Sequence, residues 1–191
     1  MFKRSIKGNF QYLKTKRINT AIITAVFFTL SLGIILTGYL TTGTRKNLLT
    51  IVGILGLLPA SKSLVSLIML IRAKGADQKL FDLINGSDNN LISMYDMYFT
   101  SYKKNFAVYH MTVKEGVIIG YSGDPSFDAK QCSEHVNAML KQAGHNGFTT
   151  CFSTKIDDYL KMLNSLNEKA SLNKDPGRDD GIRISLYEII L

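Results

Sequence analysis

The first 74 residues of this chain contain no acidic side chain. They hold eleven lysines and arginines, so this part carries +11, whereas the remainder carries −3 and the whole chain +8. Binding to a nucleic-acid backbone requires clustered cations, and the charges after Lys74 alternate in sign around an acidic balance. The basic part therefore indicates anionic lipid headgroups as its partner rather than nucleic acid.

Cysteine and tryptophan are also scarce. The two cysteines, Cys132 and Cys151, are too few for a disulfide framework. The chain has no tryptophan, so Tyr39 is the aromatic residue available to lie at the membrane interface beyond the first apolar run.

Two long apolar runs, joined by a short polar link, organise the sequence. Thr20 to Leu40 contains no charged residue and as a helix spans about 31 Å, enough to cross the hydrocarbon core of a bilayer. Leu48 to Ile71 is long enough to cross a second time. We therefore predict a two-helix transmembrane hairpin within residues 20–74, with helices at about 20–40 and 48–71.

The second run carries both small residues and one charge. Gly53, Gly56 and Ala60 are positions where two helices in lipid approach closely, with Gly33 and Gly38 as their expected partners on the first helix. These spacings suit packing within one hairpin or a homodimer. Polar residues interrupt the run after Pro59: Ser61, Lys62 and Ser63. Lys62 either faces a cavity or partner helix, or extends to the nearby headgroups from a helix that bends at the proline.

Residues 1–19 form a basic leader. Phe2, Ile6, Phe10 and Leu13 follow a nearly helical stripe, which fits an amphipathic helix lying in the membrane interface. Gly8 weakens this interpretation, and a disordered basic segment is the equal alternative. The leader has six cations and the region after the second run three, against two in the link. This imbalance predicts a multi-pass protein of the cell membrane with both termini in the cytoplasm.

Residues 75–191 read as a small cytoplasmic α/β domain. Apolar periodicity and turn residues predict the element order ααββαβαβ with a mixed sheet, in which the later strands pair in parallel. The predicted helices are 77–84, 91–102, 128–143 and 154–166; the predicted strands are 106–113, 117–121, 148–152 and 182–191; residues 170–181 form a polar loop.

Four side chains of the type that zinc prefers lie within twenty residues. They are Cys132, His135, His145 and Cys151. The alternative is that the cysteines pack in the core and the histidines are exposed, because the spacing does not pair the ligands in tight turns.

The sequence thus supports two classes of function. The first is an integral membrane protein whose cytoplasmic domain is an interaction or regulatory module without a cofactor. The second is a membrane-tethered hydrolase or metal enzyme built on the four Cys and His residues. A third hypothesis assigns the function to the hairpin itself through Lys62, for example as a transporter subunit.

Overall fold

The computed structural model describes residues 6–44, 46–86, 91–102, 104–169 and 176–191. Its helices are α1 (Tyr12–Thr42), α2 (Leu48–Arg72), α3 (Gln78–Asn85), α4 (Ala129–Gln142), α5 (Ile156–Lys169) and α6 (Pro176–Ile189). Its strands are β1 (Ser93–Phe99), β2 (Phe106–Lys114), β3 (Val117–Tyr121) and β4 (Thr149–Ser153). Two long apolar helices followed by a four-stranded mixed sheet with helices confirm the predicted fold class.

The described residues divide into two compact units. The hairpin unit comprises 14–72 and the sheet unit comprises 6–13 together with 73–191.

The hairpin unit contains α1 and α2, and both helices extend beyond their predicted limits. The helix α1 starts at Tyr12 rather than near Thr20 and has 31 residues; α2 has 25. Gly43, at φ +65°, follows the end of α1, where a left-handed conformation favours glycine. Asn47 caps α2 by accepting the backbone N–H of Thr50 at 2.7 Å.

The described part of the predicted leader differs from an interfacial helix. Residues 6–13 pack within the sheet unit, where the Phe10 ring stacks on Phe81 at 4.4 Å and Leu13 is almost fully buried. Phe2 lies outside the described residues. The apolar stripe that indicated a lipid-facing helix is thus occupied, from Phe10 to Leu13, by contacts with protein.

The sheet has the strand order β1-β2-β3-β4. β1 and β2 pair antiparallel, as do β2 and β3, whereas β3 and β4 are parallel. The β2–β3 hairpin and the parallel pair across α4 were both predicted. Glu115 and Gly116, both at positive φ, form the tight turn of that hairpin, as two-residue hairpin loops require.

The prediction of a helix at 91–102 is wrong, because this segment forms β1. Met94, Met97 and Phe99 pack into one apolar cluster and Tyr95 into another. A strand buried on both faces carries no simple alternation of apolar and polar residues. Here the spacing of Leu91, Met94, Tyr95 and Tyr98 imitates a helical stripe.

The prediction of a final strand at 182–191 is also wrong. Residues 176–189 form α6, with Pro176 at its first position, where a proline fits a helix. Its residues Ile182 and Leu186 are fully buried and lie four positions apart, whereas Ile184 is exposed; Ile190, just after the helix, is buried as well. Residues 170–175 of the predicted loop lie outside the described residues.

Two apolar clusters cover the two faces of the sheet. One cluster joins the sheet to α4 and α6 and contains Cys132, Val136, Leu140, Ile182 and Leu186. The other joins it to α3 and α5 and contains Leu80, Ile84, Tyr159, Leu163 and Leu166. The sheet unit is therefore a layer of four strands between two layers of helices.

Candidate functional site

The hairpin unit has a continuous seam of small and polar residues between its helices. Ser31 lies against Gly53 and Gly56: a β-carbon added to Gly53 would lie 3.0 Å from the Ser31 carbonyl oxygen, and one added to Gly56 would lie 2.7 Å from Ser31 Oγ. Ala60 is fully buried. Helices that approach this closely in lipid gain their stability from van der Waals packing.

Hydrogen bonds extend this seam toward the start of α1 and the end of α2. Thr24 Oγ1 and Ser63 Oγ are 2.7 Å apart, and Arg17 Nε donates to the Leu70 carbonyl at 3.2 Å. Arg17, Thr24, Ser31 and Gly38 are spaced by seven residues, the repeat of two helices that cross at a shallow angle. Gly38 faces Leu49 and Asn47, whereas a β-carbon on Gly33 would meet no atom within 4 Å.

The outer surface of the hairpin is apolar. In the most apolar 18-residue stretch of α1 only 17% of the residues are buried, and in that of α2 only 11%. Neither helix is therefore buried as a core helix of the described chain. Both helices are long and apolar enough to cross a membrane. Their exposed side chains include Phe27, Leu30, Leu36, Leu55 and Leu58.

The three polar residues that interrupt the second apolar run have different positions. Ser63 lies on the seam, where it meets Thr24. Ser61 is exposed, and its hydroxyl donates to the Leu57 carbonyl of its own helix at 2.8 Å. Lys62 is exposed on the outer surface, ten residues before the end of α2, a distance of about 15 Å along the axis.

The first and last parts of the chain meet inside the sheet unit. The Tyr12 hydroxyl donates to the Leu191 carbonyl at 2.9 Å, and Lys7 Nζ donates to the carbonyls of Tyr187 and Ile190 at 2.6 and 3.1 Å. Burial lowers the pKa of Lys7 more than nearby Glu188 raises it. Lys7 thus caps the carboxyl end of α6, where a cation is favourable.

Asp96 lies between the segments that lead into α1 and out of α2. Its carboxylate accepts the backbone N–H of Leu13 at 3.3 Å and that of Ala76 at 2.9 Å. The β1–β2 ladder keeps one register from Tyr95–His110 to Met97–Val108, but Asp96 and the opposed Tyr109 between them do not form one of its pairs. Asp96 has φ +56° and is 3% exposed.

The structure separates the four residues of the predicted metal set. Cys132 is fully buried in the cluster beneath α4, and burial, with a smaller effect of Asp128, raises its pKa. Cys151 is exposed on the α5 side, 3.5 Å from Met162 Sδ.

The two histidines of the predicted metal set, His135 and His145, contact different residues. His145 Nε2 hydrogen-bonds Ser185 Oγ at 2.8 Å, and the His135 ring lies 5.9 Å from that of Phe106. Within the described ranges, no three of His, Cys, Asp and Glu come together as metal ligands.

A buried polar chain in the sheet unit was not predicted. His110 is fully buried on β2, with Nδ1 hydrogen-bonded to the Tyr159 hydroxyl and Nε2 2.7 Å from Ser93 Oγ. Burial lowers the pKa of His110 to about 3, so the ring is neutral. The signal in the sequence was a histidine in the middle of the apolar strand Phe106–Val113, where a buried polar group requires partners.

Comparisons with protein-family models, with curated proteins and with solved structures found no significant match to this chain.

Proposed function

We propose that this chain is an integral membrane protein whose hairpin spans the bilayer twice and holds the sheet unit at the cytoplasmic face as an interaction or regulatory module. The observation that carries the proposal is the apolar outer surface of α1 and α2. About twenty large apolar side chains between Ile18 and Ile71 are exposed. Transfer of this apolar surface from water into lipid is favourable, because it removes apolar area from water.

The contact between Tyr12 and Leu191 supports two crossings rather than one. Tyr12, at the first position of α1, and Leu191 belong to the same folded unit. A chain that leaves this unit through α1 must return to the same side of the membrane, so the number of crossings is even. α1 and α2 supply two.

Charge supports the cytoplasmic side. Six lysines and arginines precede the first crossing and three follow the second (Arg72, Lys74 and Lys79), whereas the link contains two, Arg45 and Lys46. Positively charged residues near membrane segments are retained in the cytoplasm. Lys62, about 15 Å from the end of α2, then lies in the cytoplasmic half of the bilayer and reaches the headgroups by extending its side chain.

Alkaline carbonate extraction tests the membrane placement. The full chain is expected to remain in the pellet with the membranes. Its release into the supernatant would overturn the proposal, because only peripheral proteins dissociate at high pH without detergent.

Single-cysteine labelling tests the orientation. In a Cys151→Ser background, the buried Cys132 is unreactive, and a membrane-impermeant maleimide reports only an added thiol. Tyr102→Cys, at a fully exposed position of the sheet unit, is expected to react only after permeabilisation, whereas Thr44→Cys in the link reacts in intact cells. The reverse pattern would place the sheet unit outside.

A further inference from the structure

The outer edge of β4 is open. Thr149 donates its backbone N–H to Gly116, and Ser153 accepts the N–H of Ser122, so Thr149, Cys151 and Ser153 direct their backbone groups toward β3. Thr150 and Phe152 therefore direct theirs to the opposite side. Among the described residues, no backbone partner lies on that side.

The other edge of the sheet is covered by the chain itself. Gly8 pairs with Tyr95 on the free side of β1, and Ile190 pairs with Phe99. The Leu191 N–H also donates to the Tyr98 carbonyl at 3.0 Å. No described segment covers β4 in this way, and its sequence lacks the lysine or proline by which natural edge strands avoid pairing.

We propose that β4 pairs antiparallel with β4 of a second copy of this chain, in register about Cys151, to form a continuous eight-stranded sheet. Thr150 of each copy then lies opposite Phe152 of the other as a hydrogen-bonded pair, since these two residues carry the outward groups. Cys151 lies opposite its own copy as a non-hydrogen-bonded pair, in which the α-carbons are about 4.5 Å apart. This inference names a partner for the sheet unit and in that respect rests on the proposed function.

The length and symmetry of the edge favour a second copy over a flexible peptide. Two residues with outward groups can form at most four hydrogen bonds. Ordering each residue of a flexible peptide costs about as much as one such bond returns, whereas a strand that is already folded does not incur this cost. The outward groups of Thr150 and Phe152 are placed symmetrically about Cys151, as an isologous two-fold contact requires. Confinement of both copies to one membrane raises their effective concentration.

The position of Cys151 makes the pairing measurable. Its side chain is exposed, and the separation of opposed α-carbons falls within the 4.4–6.8 Å, roughly, that a disulfide allows. Cys132 is fully buried and provides a control thiol within the same chain.

Oxidative crosslinking of the full chain in membranes tests the proposal. Copper phenanthroline is expected to convert the wild-type protein of 21.3 kDa into a species of twice that mass on non-reducing gels. Cys132→Ser should retain this product and Cys151→Ser should abolish it. Absence of the wild-type product, or its persistence in Cys151→Ser, would overturn the pairing.

The register has its own test in the Cys151→Ser background. Thr149→Cys and Ser153→Cys, coexpressed, are expected to crosslink with each other at least about tenfold more than either does with itself. Each position opposes the other residue, whereas like residues are about 13 Å apart along the strands, which is beyond the reach of a disulfide. Equal yields for all pairs would indicate random collision and overturn the register.

A charge at the centre of the contact completes the test. Cys151→Lys opposes two like charges, so the detergent-solubilised protein is expected to change from dimer to monomer, whereas Cys151→Ser stays dimeric. A dimeric Cys151→Lys protein would contradict the proposal. Carbonate extraction of the same samples distinguishes the β4 pairing from the membrane placement. If the protein does not pair but stays in the membrane pellet, only the pairing is overturned.

Discussion

Asp96 Oδ2 accepts the backbone N–H of Leu13, which lies 83 positions earlier at the start of α1. The other carboxylate oxygen accepts the N–H of Ala76, just after the end of α2. One side chain of β1 thus joins two segments of the sheet unit that are distant in sequence. A carboxylate beside the first turn of α1 also interacts favourably with the positive end of the helix dipole.

Replacing Asp96 should destabilise the sheet unit in proportion to the acceptors that are lost. Asp96→Ala leaves two backbone N–H groups without this acceptor and places alanine at φ +56°, so we expect a loss of about 2–4 kcal/mol in the free energy of unfolding. Asp96→Asn retains one acceptor and tolerates positive φ, so a smaller loss of about 1–2 kcal/mol is expected. Urea unfolding of the detergent-solubilised protein, followed by near-ultraviolet circular dichroism of its tyrosines, measures the difference.

Asp96→Gly provides the control for backbone strain. Glycine removes the carboxylate but adopts positive φ freely. Stability equal to that of Asp96→Ala would assign the loss to the missing acceptors, and recovery to the wild-type value would contradict the role of the carboxylate.

The burial of His110 predicts that stability falls in acid. The folded protein holds the pKa of His110 at about 3, against 6.5 for an ordinary histidine. Between these values the unfolded chain binds a proton that the folded chain does not, so the free energy of unfolding decreases as the pH falls from 6.5 toward 3. This histidine alone is expected to change the unfolding equilibrium constant about tenfold per pH unit in that window.

Two variants isolate this contribution. His110→Asn removes the titrating ring, so the dependence of the unfolding free energy on pH should become shallower between pH 6.5 and 4. Ser93→Ala removes only the hydroxyl next to Nε2 and keeps the ring buried, so the steep dependence should remain. Parallel curves for wild type and His110→Asn would show that the histidine is accessible to protons in the folded protein.

The sequence predicted the elements with regular periodicity and missed those determined by two-sided burial. The β2–β3 hairpin, α4 and the apolar helices α1 and α2 were identifiable because each has a clear pattern of apolar residues or a tight turn. β1 was not, since both of its faces are covered and Met94 and Met97, three residues apart, pack into the same cluster. The cover of the β1 edge by Gly8 and Ile190 joins residues about 90 positions from their strand partners, a distance at which local patterns carry no information.

In the candidate site, too, local features were predictable from the sequence and those that depend on distant contacts were not. Gly53, Gly56 and Ala60 were identified from their spacing because close helix approach depends on local residue size. Ser31 rather than Gly33 is their partner, because the rotation of α1 about its axis depends on its contacts with α2. The acceptor roles of Asp96 and the polar partners of His110 required the three-dimensional structure.

A second acidic residue, Asp179, fixes the β2–β3 turn. Its carboxylate on α6 accepts the backbone N–H of Glu115 at 2.8 Å and that of Gly116 at 2.9 Å. Asp179→Ala should therefore lower the free energy of unfolding by about 1–3 kcal/mol, because both turn N–H groups lose their partner. Asp180→Ala is the matched control: the Asp180 side chain is half exposed and forms an ion pair with Arg183 within α6, and such helix pairs contribute little. Equal effects of the two changes would contradict the role of Asp179.

Valine substitutions at two glycines distinguish the seam of the hairpin from its outer surface. Gly53→Val brings a branched side chain against Ile35 and the Ser31 backbone, so α1 and α2 must separate, and we expect a loss of about 1–3 kcal/mol. Gly33→Val adds the same atoms where no neighbour lies within 4 Å, so stability should be unchanged or slightly higher. Thermal unfolding of both variants in the same detergent gives the comparison. A Gly33→Val protein that unfolds earlier than Gly53→Val would mean that a different face of α1 packs against α2.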